Sequence, residues 1–254
     1  MTRQDVNAKW RIVQLSLVHL FIESEQVEVA MDDCSSTVLT DLPYPDLNMA
    51  IMSTARRRPE VLQRILDRCR GKKSPCLIVS NWNDLDHLSG QLQPVCRIPL
   101  MRLEISQGAV TGEQLQCCQA ADDREVAAAN ETVSSAFEIP MEAINAAFGR
   151  TVPECPGLRV YVAYQSGRIV SSLRISRIGE TAVLWCMATM SHLQRQGIGQ
   201  QLLHSTIASE LQTGAREILL LATSAGIPLY NRVGFITLSE ASAFLLPGVS
   251  RSLS

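Results

Sequence analysis

Gln194-Arg195-Gln196-Gly197-Ile198-Gly199 is the stretch that decides how this chain is read. Before it lies Thr181 to Thr189, an apolar run entered through the Gly179-Glu180 turn, which predicts a buried strand. After it, Ile198, Leu202, Leu203, Ile207 and Leu211 recur at three- and four-residue steps and predict a helix from Gly197 to Gln212, stopped by Gly214. Gln200, Gln201, His204, Ser205 and Glu210 are expected on its solvated face. A glycine loop between strand and helix presents unpaired amides and the positive end of the helix dipole, which suits an anion. Gly197 and Gly199 carry no Cβ, so the backbone can approach a phosphate closely. A dinucleotide loop would want a third glycine, where Gln201 and Leu202 stand, and a P-loop would want Gly-Lys-Ser/Thr. The pattern by itself also fits a plain structural turn.

Working outward, Val160–Tyr164 and Ile169–Ile175 flank Ser166-Gly167 and predict a hairpin. Residues 120–149 read as helical, interrupted at Pro140. Ile218–Ala222 reads as a strand, Pro228–Arg232 as a short helix, and Val233-Gly234-Phe235 opens a last strand. Two runs in this half, in this order, carry a family pattern. The first is Gln194-x-x-Gly197-x-Gly199, and the second is Leu229-Tyr230-Asn231-Arg232-Val233-Gly234-Phe235. Together they resemble the pyrophosphate signature and the Leu-Tyr-x-x-x-Gly-Phe run of the GNAT superfamily of N-acetyltransferases. Ala222-Thr223-Ser224-Ala225-Gly226-Ile227-Pro228-Leu229-Tyr230 is similar to one GNAT subgroup, although many relatives have asparagine near Thr223.

The resemblance implies an α/β fold of the α+β kind: a mixed, splayed central sheet flanked by helices. It implies acetyl-CoA as co-substrate and no metal. Cofactor contacts fall by resemblance on Met187, Ala188 and Thr189, on the loop Gln194, Arg195, Gln196, Gly197, Ile198, Gly199 and Gln200, and on Thr223 and Tyr230. The strand ending at Met187-Ala188-Thr189 would part from the strand starting at Ile218 and pair with the pantetheine arm. A backbone N–H near Met187 to Thr189 would polarise the acyl carbonyl, and Tyr230 would protonate the leaving thiolate. The attacking primary amine must be neutral, which calls for a base. No Asp or Glu lies between Ala182 and Thr189, and Cys186 there reads as a core thiol. Glu131 and Glu138 fall in the substrate-side helical region, and Glu138 is the candidate base, with solvated surface charge as the alternative for both. A non-catalytic acyl-CoA sensor, or a module that holds a partner, is the competing function.

The 254 residues suffice for one large or two small domains, and 46% hydrophobic with 19% charged residues describes a globular chain with a full core. The net charge of −2 steers it toward neither nucleic acid nor an anionic membrane. Its eight cysteines form no C-x-x-C pair, which predicts reduced thiols and a cytoplasmic protein without a zinc site. Ile12–Ile22 is shorter than the ~20 residues a membrane span needs. Trp10, Val13, Leu17 and Leu20 instead mark an amphipathic helix there. The expected acceptor is a small-molecule or peptide amine, and a homodimer is left open.

The first half predicts strands at Asn48–Ser53, Cys76–Ser80 and Ile98–Ile105. It also predicts a helix from Arg58-Pro59-Glu60, with Val61, Leu62, Ile65, Leu66 and Cys69 buried and Gly71 as its stop. A short helix is expected at Asp84–Leu92, where Asp84, Asp86 and His87 read as a helix start before they read as a metal site. Arg56, Arg57, Arg58, Arg64, Arg68, Arg70, Lys72 and Lys73 read as a solvated basic face, with RNA or an acidic partner as the alternative. The Gly- and Gln-rich stretch from Ser106 to Gln119 is the expected seam. The division is 1–110, resembling a degenerate GNAT-like lobe without a cofactor site, and 111–254, the catalytic domain.

Overall fold

The computed structural model describes residues 2–24, 26–53, 58–72, 74–81, 91–104 and 115–248. The chain separates into two compact units, residues 1–100 with 237–254, and residues 101–236. The sequence places a boundary at 110/111 instead, and residue 110 lies outside the described residues. What a linear reading does not foresee is the return of the last strand to the first unit.

In the first unit, α1 (Arg3–Phe21) starts at a capping box in which Thr2 and Asp5 satisfy each other's backbone N–H. It buries Trp10, Val13, Leu17 and Leu20, as their spacing predicts. Next come β1 (Glu28–Met31), β2 (Ser35–Leu39), β3 (Met49–Met52), α2 (Pro59–Lys72) and β4 (Cys76–Ser80). The β1–β2 and β2–β3 pairs are antiparallel, and β3–β4 is parallel across the α2 crossover. The chain's last strand, β11 (Ile236–Leu246), adds antiparallel to β4, with Ser242 opposite Ser80 and Leu246 opposite Cys76. The α2 stripe Val61, Leu62, Ile65, Leu66 and Cys69 is buried with Phe244 and Leu246 in this unit's core.

Helix α2 runs one residue past Gly71, and three of its cations are paired. Arg64 meets Asp32 at 2.9 Å, Arg70 meets Asp67 at 3.6 Å, and Lys72 meets Glu28 at 3.2 Å. Arg56, Arg57, Lys73 and the Asp84–His87 turn lie outside the described residues. Among the described residues there is no metal-binding cluster and no disulfide, and no helix is long and apolar enough to cross a membrane.

Strand β5 (Gln93–Glu104) carries the chain from one unit to the other at Leu100/Met101. It starts before the expected Ile98, where its residues, Val95 among them, are exposed and follow no apolar alternation. The second unit holds β6 (Gln116–Gln119), α3 (Asp123–Phe137), α4 (Met141–Phe148), β7 (Leu158–Gln165), β8 (Arg168–Ile178) and β9 (Thr181–Thr189). These are followed by α5 (Ile198–Gln212), β10 (Glu217–Leu221) and α6 (Ile227–Val233). Strands β6 to β9 pair antiparallel in chain order, and β10 pairs parallel with β9. Gln116–Gln119 is therefore a strand paired with Tyr161–Tyr164 and not part of a seam. Glutamines on a half-exposed edge strand offer no alternation to read.

Helix α5 buries Ile198, Leu202 and Leu203 as expected, but Glu210, expected on the wet face, has no exposed surface. Arg159 at 3.0 Å, Arg177 at 2.8 Å and the Tyr161 hydroxyl at 2.8 Å surround its carboxylate. These partners on β7 and β8 supply the compensation a buried charge requires.

Candidate active site

The site is built where β9 leaves β10. The parallel register joins Thr181–Leu184 to Glu217–Leu220 and ends there, while β9 continues to Thr189. A bulge lies at the point of departure. Against β8, Ser172 faces Ala188 and Arg174 faces Trp185, so Cys186 and Met187 together oppose Leu173. Cys186 adopts a left-handed φ of 49°, and such a bulge bends the strand and re-aims its backbone. The sequence offers no cue to it, because a bulge in an apolar run leaves the residue types unchanged.

Beyond Thr189 the chain makes a short turn and reaches the glycine loop. Arg195 (φ 65°) and Gly197 (φ 82°) are both left-handed, and Gly197 is the residue from which α5 starts. No side chain caps this helix. Gln201 donates to the Gly197 carbonyl at 3.1 Å, so the amides before it have no helical acceptor. They point out of the N-terminus of a fifteen-residue helix, where an anion is favoured. A Cβ on Gly199 would stand 3.2 Å from Met187 Cε and 3.3 Å from Thr189 Oγ1. The second glycine therefore keeps the helix start close to the β9 end. Gln194 Nε2 donates to the Thr189 carbonyl at 3.2 Å and ties loop to strand.

These elements enclose a cleft of about 410 Å³. Its wall includes Met187, Ala188, Thr189, Gln194, Arg195, Gly197, Ile198, Gly199, Gln200, Thr223 and Tyr230. Of the residues expected to hold the cofactor, only Gln196 is missing from that wall, and it is exposed. Ala136 and Phe137 at the end of α3 contribute, as do Pro228, Leu229 and Arg232 of α6. The volume and the mixed lining suit an extended small ligand.

Tyr230 is 7% exposed and stacks edge-on against Phe235, with ring centroids 5.6 Å apart. Its hydroxyl approaches Met187 Sδ at 3.8 Å, beside the bulge. Burial first, and the neighbouring Cys186 second, push the phenol well above its ordinary value, so it stays protonated across neutral pH. A Cβ on Gly226 would sit 2.7 Å from the Tyr230 ring, so this glycine makes room for the side chain.

Glu138 is exposed and sits in left-handed conformation (φ 55°) as the C-cap of α3. It is not among the cleft-lining residues, although its neighbours Ala136 and Phe137 are. Glu131 lines a second cleft of about 740 Å³, between α3, the β7–β8 turn and His192, with Leu193 shared by both clefts.

Residues 156–237 match the family model described as an acetyltransferase (GNAT) domain. The domain in the C-terminal half therefore belongs to the GNAT acetyltransferases. Its fold extends over nearly the whole chain. A GCN5-related N-acetyltransferase from Kribbella flavida matches with a TM-score of 0.66 at 16% identity, over 94% of this chain and 96% of that one. A GNAT-family acetyltransferase structure from Novosphingobium aromaticivorans gives 0.60 at 14%, over 95% and 96%. A GCN5-related N-acetyltransferase from Sphaerobacter thermophilus gives 0.59 at 15%, over 89% and 85%. No curated protein matches the sequence.

Proposed function

We propose that this chain is an acetyl-CoA-dependent N-acetyltransferase that passes the acetyl group to a primary amine by direct attack. The observation that carries it is the parting of β9 from β10 after Leu184, with the glycine loop at one end of the opening and Tyr230 beside it. The pyrophosphate would rest on the loop amides from Gln194 to Gln200. The pantetheine arm would lie along Met187, Ala188 and Thr189, reached on its other side by Thr223. At the bulge a backbone N–H near Met187 would polarise the carbonyl, which is worth about 2.7–4 kcal/mol where such a donor is removed. Tyr230, protonated at neutral pH, would donate to the departing thiolate. The acceptor is a small-molecule or peptide amine, and the reduced cysteines accord with a cytoplasmic location.

Incubation with acetyl-CoA and a panel of amines, following release of free thiol, tests this. Turnover of at least one amine is expected. A second reading, an acyl-CoA sensor, is favoured by one observation: β9 carries no carboxylate to serve as base. Tight binding of acetyl-CoA without turnover over a broad panel would establish the sensor instead.

A further inference from the structure

Two of the eight cysteines meet in the core of the first unit. Cys69 belongs to the buried stripe of α2, in the last turn before the helix ends at Lys72, and Cys76 opens β4. Their sulfurs are 3.1 Å apart, and the two residues are 1% and 0% exposed. A disulfide bond is about 2.05 Å long, so a closure of about 1 Å separates these thiols from one. Nearness in sequence does not by itself make such a pair. Cys117 and Cys118 are adjacent on β6, but strand alternation sends them to opposite faces of the sheet. Cys117 packs with the core that holds Leu202 and Leu203, and Cys118 with Val126 and Ala129.

The two sulfurs are not equivalent. Contact with Cys76 lowers the Cys69 thiol, because the Cys76 S–H can donate to a thiolate at Cys69. The same contact, with burial behind it, pushes Cys76 far up, so Cys76 stays a thiol. A thiolate is the nucleophile in thiol chemistry, so Cys69 reacts first and Cys76 resolves. Access comes through the end of α2, where a helix opens locally at little cost. Gly71 in that turn has open space around it. Neither cysteine is on the wall of either cleft, so the pair is separate from the transfer site.

We propose that Cys69 and Cys76 form a reversible dithiol–disulfide pair, closed by hydrogen peroxide and reopened by dithiols, that staples the end of α2 to the start of β4. Cys69 attacks the peroxide: an S–O bond forms as the O–O bond breaks, leaving a sulfenic acid and one water. Cys76 then attacks that sulfur, so the S–S bond forms, the S–O bond breaks and a second water leaves. Each water carries off one thiol proton. Two thiols are oxidised, and one peroxide is reduced to two waters. The staple sits where the crossover helix meets the strand that receives the end of the chain. Cys76 lies opposite Leu246 of β11, and both cysteines pack with Phe244 and Leu246. It therefore acts on the first unit, and it holds whether or not the chain turns over an amine. A reducing compartment keeps the pair open, and exposure to peroxide closes it.

The test is to treat the reduced full chain with hydrogen peroxide, block with N-ethylmaleimide, and digest with trypsin and chymotrypsin without reductant. Chymotryptic cleavage at Trp82 separates Cys76 from Cys96, which otherwise share a tryptic peptide. Mass spectrometry should find a Cys69–Cys76 link, lighter by two hydrogens than its two peptides, and dithiothreitol should remove it. The oxidised chain should unfold about 5 °C above the reduced one. In Cys76→Ser the resolving thiol is gone, so a sulfenic acid that dimedone traps should accumulate on Cys69. Both cysteines remaining free at a peroxide dose that fully oxidises the exposed Cys96 would overturn the proposal, and this comparison needs no variant to fold. So would sulfinic acids in place of the link, or a link to the half-buried Cys34, which packs on the same core. A link that leaves the unfolding temperature unchanged would overturn the staple as well.

Discussion

Each unit contains a strand, a crossover helix and a parallel strand, and the two differ in how the strands end. In β3–α2–β4 the pairing runs the whole length of β3, from Met49 opposite Leu77 to Met52 opposite Ser80. One more bond follows, from Asn81 N–H to the Met52 carbonyl at 3.3 Å. In β9–α5–β10 the pairing stops at Leu184, with β9 continuing for another five residues through a bulge. The first arrangement satisfies its backbone internally. The second leaves a slot for a ligand that can pair as a strand does. A ligand cleft in this fold is made by withholding sheet hydrogen bonds, and the glycine loop is useful only where that has happened.

The contrast can be broken most sharply at Tyr230. Tyr230→Phe keeps the ring against Phe235 and removes the proton, so kcat should fall about 10²-fold or more, with the KM for acetyl-CoA nearly unchanged. A parallel rise in KM would reduce Tyr230 to a packing role.

Next in size, Asn48→Ala acts on the first unit alone. Asn48 is fully buried, accepts from the Thr40 N–H and hydroxyl, and donates to the carbonyls of Leu42 and Tyr44 at 2.8 and 2.9 Å. Its loss should cost about 2–3 kcal/mol in denaturant unfolding. Acetyl-CoA affinity at temperatures where the protein stays folded should not change.

Gly197→Asp strikes the second unit's loop, placing a carboxylate in a left-handed position beside the anion site. The thermal shift that acetyl-CoA induces should disappear, with affinity reduced at least about tenfold, or about 1.4 kcal/mol. An unchanged shift would remove the loop from the binding site.

The smallest effect is a pH dependence. Burial, ahead of the Glu210 charge, pushes Tyr161 up to about 12. A phenol raised on folding stabilises the protein fully below its unfolded value near 10. That stability is lost as pH climbs toward 12. Urea midpoints between those pH values should fall less steeply in Tyr161→Phe.

Much of this was open to sequence reading because local patterns and tertiary burial agree. The β9 limits follow from the Gly179-Glu180 turn and the apolar run, and the α2 stripe from its period. The glycine loop was legible because backbone demands at an anion site restrict residue type. What escaped depends on partners far along the chain. Glu210 reads as a surface acid until Arg159 and Arg177 are brought to it. Gln116–Gln119 reads as linker until β7 pairs with it. The bulge at Cys186 leaves no mark on the residue types around it.

The return of β11 to the first unit bears on biosynthesis. Residues 101–236 are continuous and can close their sheet as soon as α6 is made, whereas β4 waits for Ser242 to Leu246. During synthesis the second unit in sequence is thus the first to be complete. The earlier one spends that interval with one edge of β4 unfilled, a surface on which chaperones or premature aggregation would act.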